Sequence, residues 1–286
     1  MHGELVQTTT SDSVRLHGML LGNPREASAW ILVHGVNSNF YSSSLLQTIA
    51  SFLLERGHCV LMINTRGHDI ASFNTGPVPR RLGSQFELVS SCEHDLNAWH
   101  ALLIERGAQL VSVLGHSLGA IKSVYWAART TLPLENIIAV SPPRLNTEHL
   151  LLDPAKGEQF QKHLGEAREW CDAGKPEHVM KVRFPLPMWI CAATYLDKYG
   201  SRDKYDYLTF LNAIRSPTLW TFGQLEMELG TSNFKDAAKN LTSAIASQGS
   251  NLDVPHAVST IPRADHSYND VRGLLMESIS QWLEQP

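Results

Sequence analysis

Leu110-Val111-Ser112-Val113-Leu114-Gly115-His116-Ser117-Leu118-Gly119-Ala120-Ile121-Lys122-Ser123-Val124-Tyr125-Trp126 is the stretch on which the reading of this chain turns. An apolar strand runs into a G-x-S-x-G turn and out into a helix. A strand-to-helix turn this sharp brings two backbones into van der Waals range and leaves no room for a Cβ at either glycine. The serine between them is lifted to the tip, where its Oγ is exposed and the first N–H groups of the helix point at whatever it attacks. Ser117 is therefore a candidate nucleophile.

Three fixed residues in five recur by chance, so the surroundings have to decide. The motif calls for an oxyanion loop after an earlier strand, and for an acid and then a histidine later in the chain. Ala29-Trp30-Ile31-Leu32-Val33-His34-Gly35-Val36-Asn37 supplies the loop: an apolar strand ends in His-Gly, and Gly35 permits the bend that aims the Val36 N–H toward the Leu118 N–H. Two such donors hold the oxygen of a tetrahedral intermediate, and losing one costs roughly 3 to 4 kcal/mol of transition-state stabilisation. His34 itself reads as a tie for the loop rather than a reacting group.

Thirteen histidines are present, so position has to select the base. Pro255 to Ile261 reads as a last strand and Pro262-Arg263-Ala264-Asp265-His266-Ser267-Tyr268 as the loop after it. A final helix follows through Val271, Leu274, Leu275, Ile279, Trp282 and Leu283, with Asn269 or Ser267 as its expected N-cap. His266 is thus the candidate base, while His256, at the wrong end of the strand, reads as structural. The preceding strand, Ser216 to Gly223, leads to Glu226 as the candidate acid, with Glu228 next and Asp206 not far upstream.

With these elements in place the chain resembles the α/β-hydrolase fold family. His34-Gly35, Gly115-His116-Ser117-Leu118-Gly119, Pro217 to Glu226 and Ala264-Asp265-His266 carry the resemblance across both halves of the sequence. It implies Ser117, Glu226 and His266 as nucleophile, acid and base, with glutamate where the family more often has aspartate. Asn64-Thr65-Arg66-Gly67-His68 looks like the loop after the fourth strand in serine-aminopeptidase and monoacylglycerol-lipase members. Glu93-His94-Asp95-Leu96, leading to the serine turn, loosely resembles a branch that includes fungal siderophore-ester hydrolases.

At 286 residues and 43% hydrophobic the chain can bury one large α/β core. A net charge of −4 without a basic run argues against nucleic acid as a partner. Cys59, Cys92, Cys171 and Cys191 form no C-x-x-C pair and read as reduced thiols, with two disulfides the alternative. Met1 to Thr8 has neither a basic nor an apolar leader region and no long apolar run follows, so no membrane insertion and a cytoplasmic location are expected. No G-x-G-x-x-G opens the first βα unit and no phosphate-binding loop is present, so no cofactor is expected. Arg66-Gly67-His68-Asp69 lacks ligand spacing, and no metal is expected there. Arg80-Arg81 reads as a solvated loop, Asp95 as an ion-pair or helix-dipole residue and His116 as packed against the sheet.

Strand-like and helical segments alternate, as expected of a mostly parallel sheet covered on both faces. Val14 to Leu21 reads as an antiparallel edge strand, Trp30 to Val33, Cys59 to Ile63 and Ile137 to Val140 as buried strands, and residues 91 to 106 as a helix. After Ser141-Pro142-Pro143 about seventy residues intervene before the next strand, far beyond an ordinary connection. Residues 1–144 and 215–286 are therefore read as the core, and 145–214 as a helical cap inserted after the sixth strand, with helices at 146–152, 157–173 and 203–214. Within it Phe184, Met188 and Trp189 are candidates for lining an apolar substrate site, or else form the cap's own small core.

The expected chemistry is hydrolysis of a carboxylic ester of a small molecule through an acyl-enzyme on Ser117. Thioester, peptide and lactone hydrolysis would use the same residues. Cleavage of a carbon–carbon bond is a further alternative, and so is a non-catalytic binder of small ligands on the same fold.

Overall fold

Two five-residue runs, Ala29–Val33 (β3) and Cys59–Ile63 (β4), are buried at every position, which happens to a strand only when both faces of its sheet are covered. The structure, a computed structural model, describes residues 3–74, 78–200 and 203–285. Residues 1–2, 75–77, 201–202 and 286, which the core and cap spans include, lie outside the described residues.

The main sheet opens with an antiparallel hairpin, β1 (Gly3–Thr9) and β2 (Arg15–Leu21). β3, helix α1 (Ser44–Glu55) and β4 follow, then a small hairpin of β5 (Ser72–Asn74) and β6 (Arg80–Leu82) and helix α2 (Cys92–Glu105). β7 (Val111–His116), α3 (Leu118–Ala127) and β8 (Ile137–Val140) complete the first half. The strand order is β1-β2-β4-β3-β7-β8 and then, after the insertion, β11 (Thr218–Gly223) and β12 (His256–Ile261). All pairings are parallel except β1 with β2 and β2 with β4. Val14 to Leu21, the expected edge strand, is not at the edge. Instead β2 lies one strand in, and β1, largely exposed, is the edge.

Ser43 caps α1 by accepting the Leu46 N–H, and Leu45, Leu46, Ile49, Ala50 and Leu53 face the sheet. That face belongs to an apolar cluster with Trp30, Leu32, Val60 and Leu114, which α9 (Arg272–Leu283) closes through Leu275, Ile279 and Trp282. The opposite face of the sheet packs Ile31, Leu61, Val113 and Trp220 against Leu96 and Trp99 of α2 and Ile121 and Val124 of α3. All four cysteines are free thiols.

The insertion between β8 and β11 is cap-like, and it follows the sixth strand of the main sheet in chain order. It holds α4 (Thr147–Leu151), α5 (Gly157–Asp172), an antiparallel hairpin of β9 (Val179–Val182) and β10 (Met188–Cys191), and α6 (Ala192–Tyr199). It is therefore not purely helical. Nor does a helix span 203–214: Asp206 accepts the Leu208 N–H and starts a 3-10 turn at Tyr207–Thr209, and a second follows at Leu211–Ala213. These turns let Tyr205, Tyr207, Phe210 and Leu211 all point into the main core, which one helical face could not do. After β11 come α7 (Gln224–Leu229) and α8 (Ala237–Gln248). Neither Ser267 nor Asn269 caps α9, whose flanking residue is Val271. Both instead give their N–H groups to the Asp265 carboxylate, which fixes the loop that carries His266.

Candidate active site

The serine turn is built as its glycines require. A Cβ on Gly115 would lie 2.2 Å from the Gly119 carbonyl oxygen, and one on Gly119 would lie 2.3 Å from that of Val33. Both obstacles are backbone, so only glycine fits. Ser117 is held at φ 57° and ψ −125°, a conformation costly for an L residue, and its N–H is anchored on the Val140 carbonyl at 2.9 Å. Strain of this kind collects where a side chain must be presented to a ligand. The residue is 8% exposed and lines a cavity of about 850 Å³.

Gly35, Val36, Leu118, Glu226 and His266 line the same cavity. A Cβ on Gly35 would come within 3.1 Å of the Ser117 Cβ, so the missing side chain is what brings the Val36 loop against the turn. Leu118 is the first residue of α3, where backbone N–H groups have no intrahelical acceptor. His34 is fully buried and ties this loop as expected: its Nδ1 donates to the Gly35 carbonyl at 2.8 Å, and its Nε2 accepts the Thr65 N–H at 3.2 Å. Burial, reinforced by the nearby Lys122 charge, depresses its pKa to about 3, so the imidazole is neutral.

His266 Nδ1 donates to Glu226 Oε1. Glu226 is 4% exposed, and its other oxygen accepts the Ser141 hydroxyl at 2.6 Å and the Gly223 N–H at 3.1 Å. Ser141 Oγ lies 2.9 Å from the Tyr268 hydroxyl, which in turn lies 3.2 Å from Thr221 Oγ1. The carboxylate is thus locked from behind by a buried chain of hydroxyls. Glu228 is exposed and accepts from Gln224, and Asp206 is occupied by Arg144 and Asn146. Neither meets His266.

His116 does more than pack against the sheet. Its Nε2 donates to the His266 backbone carbonyl at 2.8 Å, and the two rings lie 4.8 Å apart. Burial, with a smaller contribution from His266, lowers its pKa to about 3. Phe234 contacts the His266 ring at 5.1 Å. Ser141, Tyr268, His116 and Phe234 were not singled out as site residues from sequence. The only available hint was the Ser-Pro-Pro ending of β8, which marks a strand end and no more.

The cap residues named from sequence lie elsewhere. Phe184 is buried in the cap's own core with Phe160 and Tyr195, and Met188 packs against the edge of that core. Trp189 is 53% exposed, beside Lys181 on the outer hairpin. Pro185 and Leu186 line the cavity from this segment instead, together with Lys198 and Tyr199 of α6. Phe184 is spent on holding the cap together.

Behind the part of the cavity wall that Lys198 lines, Glu87 accepts an ion pair from Lys122 at 2.6 Å and another from Lys198 at 3.3 Å, all three side chains being buried. Lys122 also donates to Thr65 Oγ1 at 3.0 Å, joining this group to His34 and the loop of Gly35 and Val36. A Cβ on Gly67 would overlap the Glu87 carboxylate, so that glycine is what admits it. Burial pushes the Glu87 pKa up, but the two ammonium groups more than reverse this and hold it at about 2. Arg66 and Asp95 form a separate buried pair, with Arg66 reaching on to Asp12. Asp95 is thereby the ion-pair residue expected of it. Among the described residues no His, Cys, Asp or Glu cluster could hold a metal ion, and no helix is long and apolar enough to cross a membrane.

Comparison with solved structures returns the same architecture. An esterase from Pyrococcus furiosus superposes with a TM-score of 0.66 at 17% identity, over 99% of this chain and 91% of that one. An alpha/beta hydrolase from Penicillium sp. sh18 gives 0.67 at 16% identity, covering 99% and 98%. Est1E from Butyrivibrio proteoclasticus, seen with bound ferulic acid, gives 0.65 at 13%, covering 97% and 98%. No curated protein sequence matches the chain. A sequence model of the alpha/beta hydrolase fold does match, over residues 30–178, which runs from β3 through the serine turn into the cap. The chain belongs to the alpha/beta hydrolase fold family.

Proposed function

We propose that the protein is a serine hydrolase that cleaves a carboxylic ester of a small molecule, with Ser117 as nucleophile, His266 as base and Glu226 as its partner. One observation carries this reading: the imidazole that shares a cavity with a strained, glycine-flanked serine donates to a buried carboxylate with two further donors behind it. A binding protein has no use for so closely held a proton acceptor. Ser117 Oγ attacks the carbonyl carbon and passes its proton to His266 Nε2, while Glu226 steadies the imidazolium. The Val36 and Leu118 N–H groups receive the oxyanion. Collapse of the tetrahedral adduct breaks the bond to the alkoxide, which leaves with the proton from His266, and water then resolves the acyl-enzyme through the same steps. Residues 145–214 act as the cap over this site and residues 1–144 with 215–286 as the core.

Hydrolysis of p-nitrophenyl esters from acetate to palmitate, by the wild type beside Ser117→Ala, tests the assignment. Turnover that disappears with the hydroxyl, together with fluorophosphonate labelling of Ser117, is the expected result. Labelling without turnover would move the reading to thioesters, amides or lactones. Absence of both labelling and turnover would refute a catalytic Ser117.

A further inference from the structure

The cavity wall carries a cation that the ester chemistry does not use. Lys198 is 4% exposed, and among the described residues its ammonium has two contacts, Glu87 Oε1 at 3.3 Å and the Ser84 carbonyl at 3.4 Å. Both are long for an ammonium with three protons to place. Glu87 is shared with Lys122, which holds it more closely at 2.6 Å, so two buried ammonium groups face one carboxylate. The cluster has one positive charge in excess, and a buried charge without a counter-charge is costly. Asp197, next in the chain, is already engaged by the Val89 N–H, the Tyr205 hydroxyl and Lys204. The acidic residues of the cavity are committed as well: Glu226 to His266, Ser141 and Gly223, and Asp265 to the loop N–H groups. Arg272, the other cation of the lining, is bonded to Ser44 and Thr48.

We propose that Lys198 is a specificity residue whose ammonium binds a carboxylate of the substrate, so that the preferred ester carries a free acid group away from the bond to be cleaved. This rests on the reading of the cavity as an ester-hydrolase site and adds the substrate's charge to it. The incoming anion supplies the counter-charge that Glu87 cannot give twice, and it meets a buried ammonium, where a charge-assisted hydrogen bond is strong. Burial, opposed by Glu87 and aided by Lys122, lowers the pKa of Lys198, an effect that a bound anion reverses.

The test uses the Ser117→Ala protein, which binds without turnover. Its affinity for the monobenzyl esters of succinic, glutaric and adipic acid is measured by titration calorimetry, against the neutral benzyl methyl diesters. At least one monoacid should bind tenfold or more tightly than its neutral counterpart, and Lys198→Met in the same background should bring that ratio to about one. Loosening of the cap would instead weaken both ligands alike and leave the ratio unchanged. Equal affinity for acid and neutral ester, or a preference that survives both Lys198→Met and Lys198→Gln, overturns the proposal. Should neither variant fold, a crystal of Ser117→Ala with the best monoacid decides: the carboxylate lies about 3 Å from Lys198 Nζ or the proposal is wrong. Failure of the esterase reading shows separately, as loss of labelling and turnover in the protein that retains Ser117.

Discussion

Gly119→Ala should disable the protein through a single methyl group that touches no substrate. The new Cβ would lie 2.3 Å from the Val33 carbonyl oxygen and 2.5 Å from that of His34, where ordinary contact begins near 3.4 Å. Both atoms are backbone at the end of a buried central strand and cannot swing aside. Helix α3 therefore has to withdraw by about 1 Å, taking Ser117 and the Leu118 N–H with it, and a misplacement of that size costs about 100-fold in rate. Overpacking costs about 1–3 kcal/mol in stability, which in a chain of this length lowers Tm by about 2–12 °C. The assay is the second-order rate of fluorophosphonate labelling at Ser117, with ester turnover beside it. Gly165→Ala is the control: this mid-helix glycine of α5 has open space around its Cβ position, so alanine should add about 0.5–1 kcal/mol and leave labelling unchanged. A Gly119→Ala protein that labels within threefold of wild type would refute the argument that close backbone approach positions the nucleophile.

Ser141→Ala removes the 2.6 Å donor behind Glu226, a hydrogen bond to a charged group worth about 1.5–3 kcal/mol. It should lower kcat by about 10–100-fold with KM little changed, and a kcat within twofold would argue against the hydroxyl chain as support for the acid. His34 and His116 have pKa values of about 3 in the fold, below the ordinary 6.5, so the unfolded chain takes up protons first as pH falls. Stability is therefore complete above pH 6.5 and is lost below it, at about 1.4 kcal/mol per pH unit for each histidine down toward pH 4. Urea midpoints read between pH 7 and 4.5 should fall accordingly, and less steeply in His116→Asn; a flat profile would contradict neutral burial of these rings. Arg66→Met leaves Asp95 buried without its partner and should cost about 3–5 kcal/mol, whereas Arg66→Met with Asp95→Leu should recover most of that. Equal melting of the single and double variants would show that the pair is not what Arg66 provides.

Two kinds of information separate what the sequence disclosed from what it withheld. β3, β4, β7 and β8 were legible because a strand buried on both faces is a continuous apolar run, and Ser117 because its two glycines are local consequences of one tight turn. Glu226 and His266 are singled out in the sequence by chain order alone, since nothing local distinguishes Glu226 from Glu228; in the structure Glu226 is buried and meets His266, and Glu228 does neither. The support behind Glu226 joins residues 141, 221, 223 and 268, separations at which no pattern survives. Lys122 did carry a signal, as the one charged residue in an otherwise uncharged helix, yet its partners Glu87 and Thr65 lie 35 and 57 positions away. In the cap, the helix expected over 203–214 gives way to two 3-10 turns that send Tyr205, Tyr207 and Phe210 into the main core. β1 has only one covered face and sits at the edge, so its sequence bore little of the apolar mark by which the inner strands were read.

The place of β12 has a consequence for how activity would fail. This strand is the last in order, bonded to β11 alone, and five of its six residues are incompletely buried, yet the loop it leads into carries His266. Ser117, by contrast, stands between β3 and β8 at the centre of the sheet. Sheet edges open at a smaller free energy than centres, so mild heat or denaturant should detach the loop of His266 while Ser117 and most of the core stand intact. On the proposed roles, inactivation should then precede unfolding and reverse when the edge closes again. During synthesis the order is the same: the Ser117 turn and the loop of Gly35 and Val36 precede residue 266 in the chain, and the proposed chemistry has to wait for the final strand to dock.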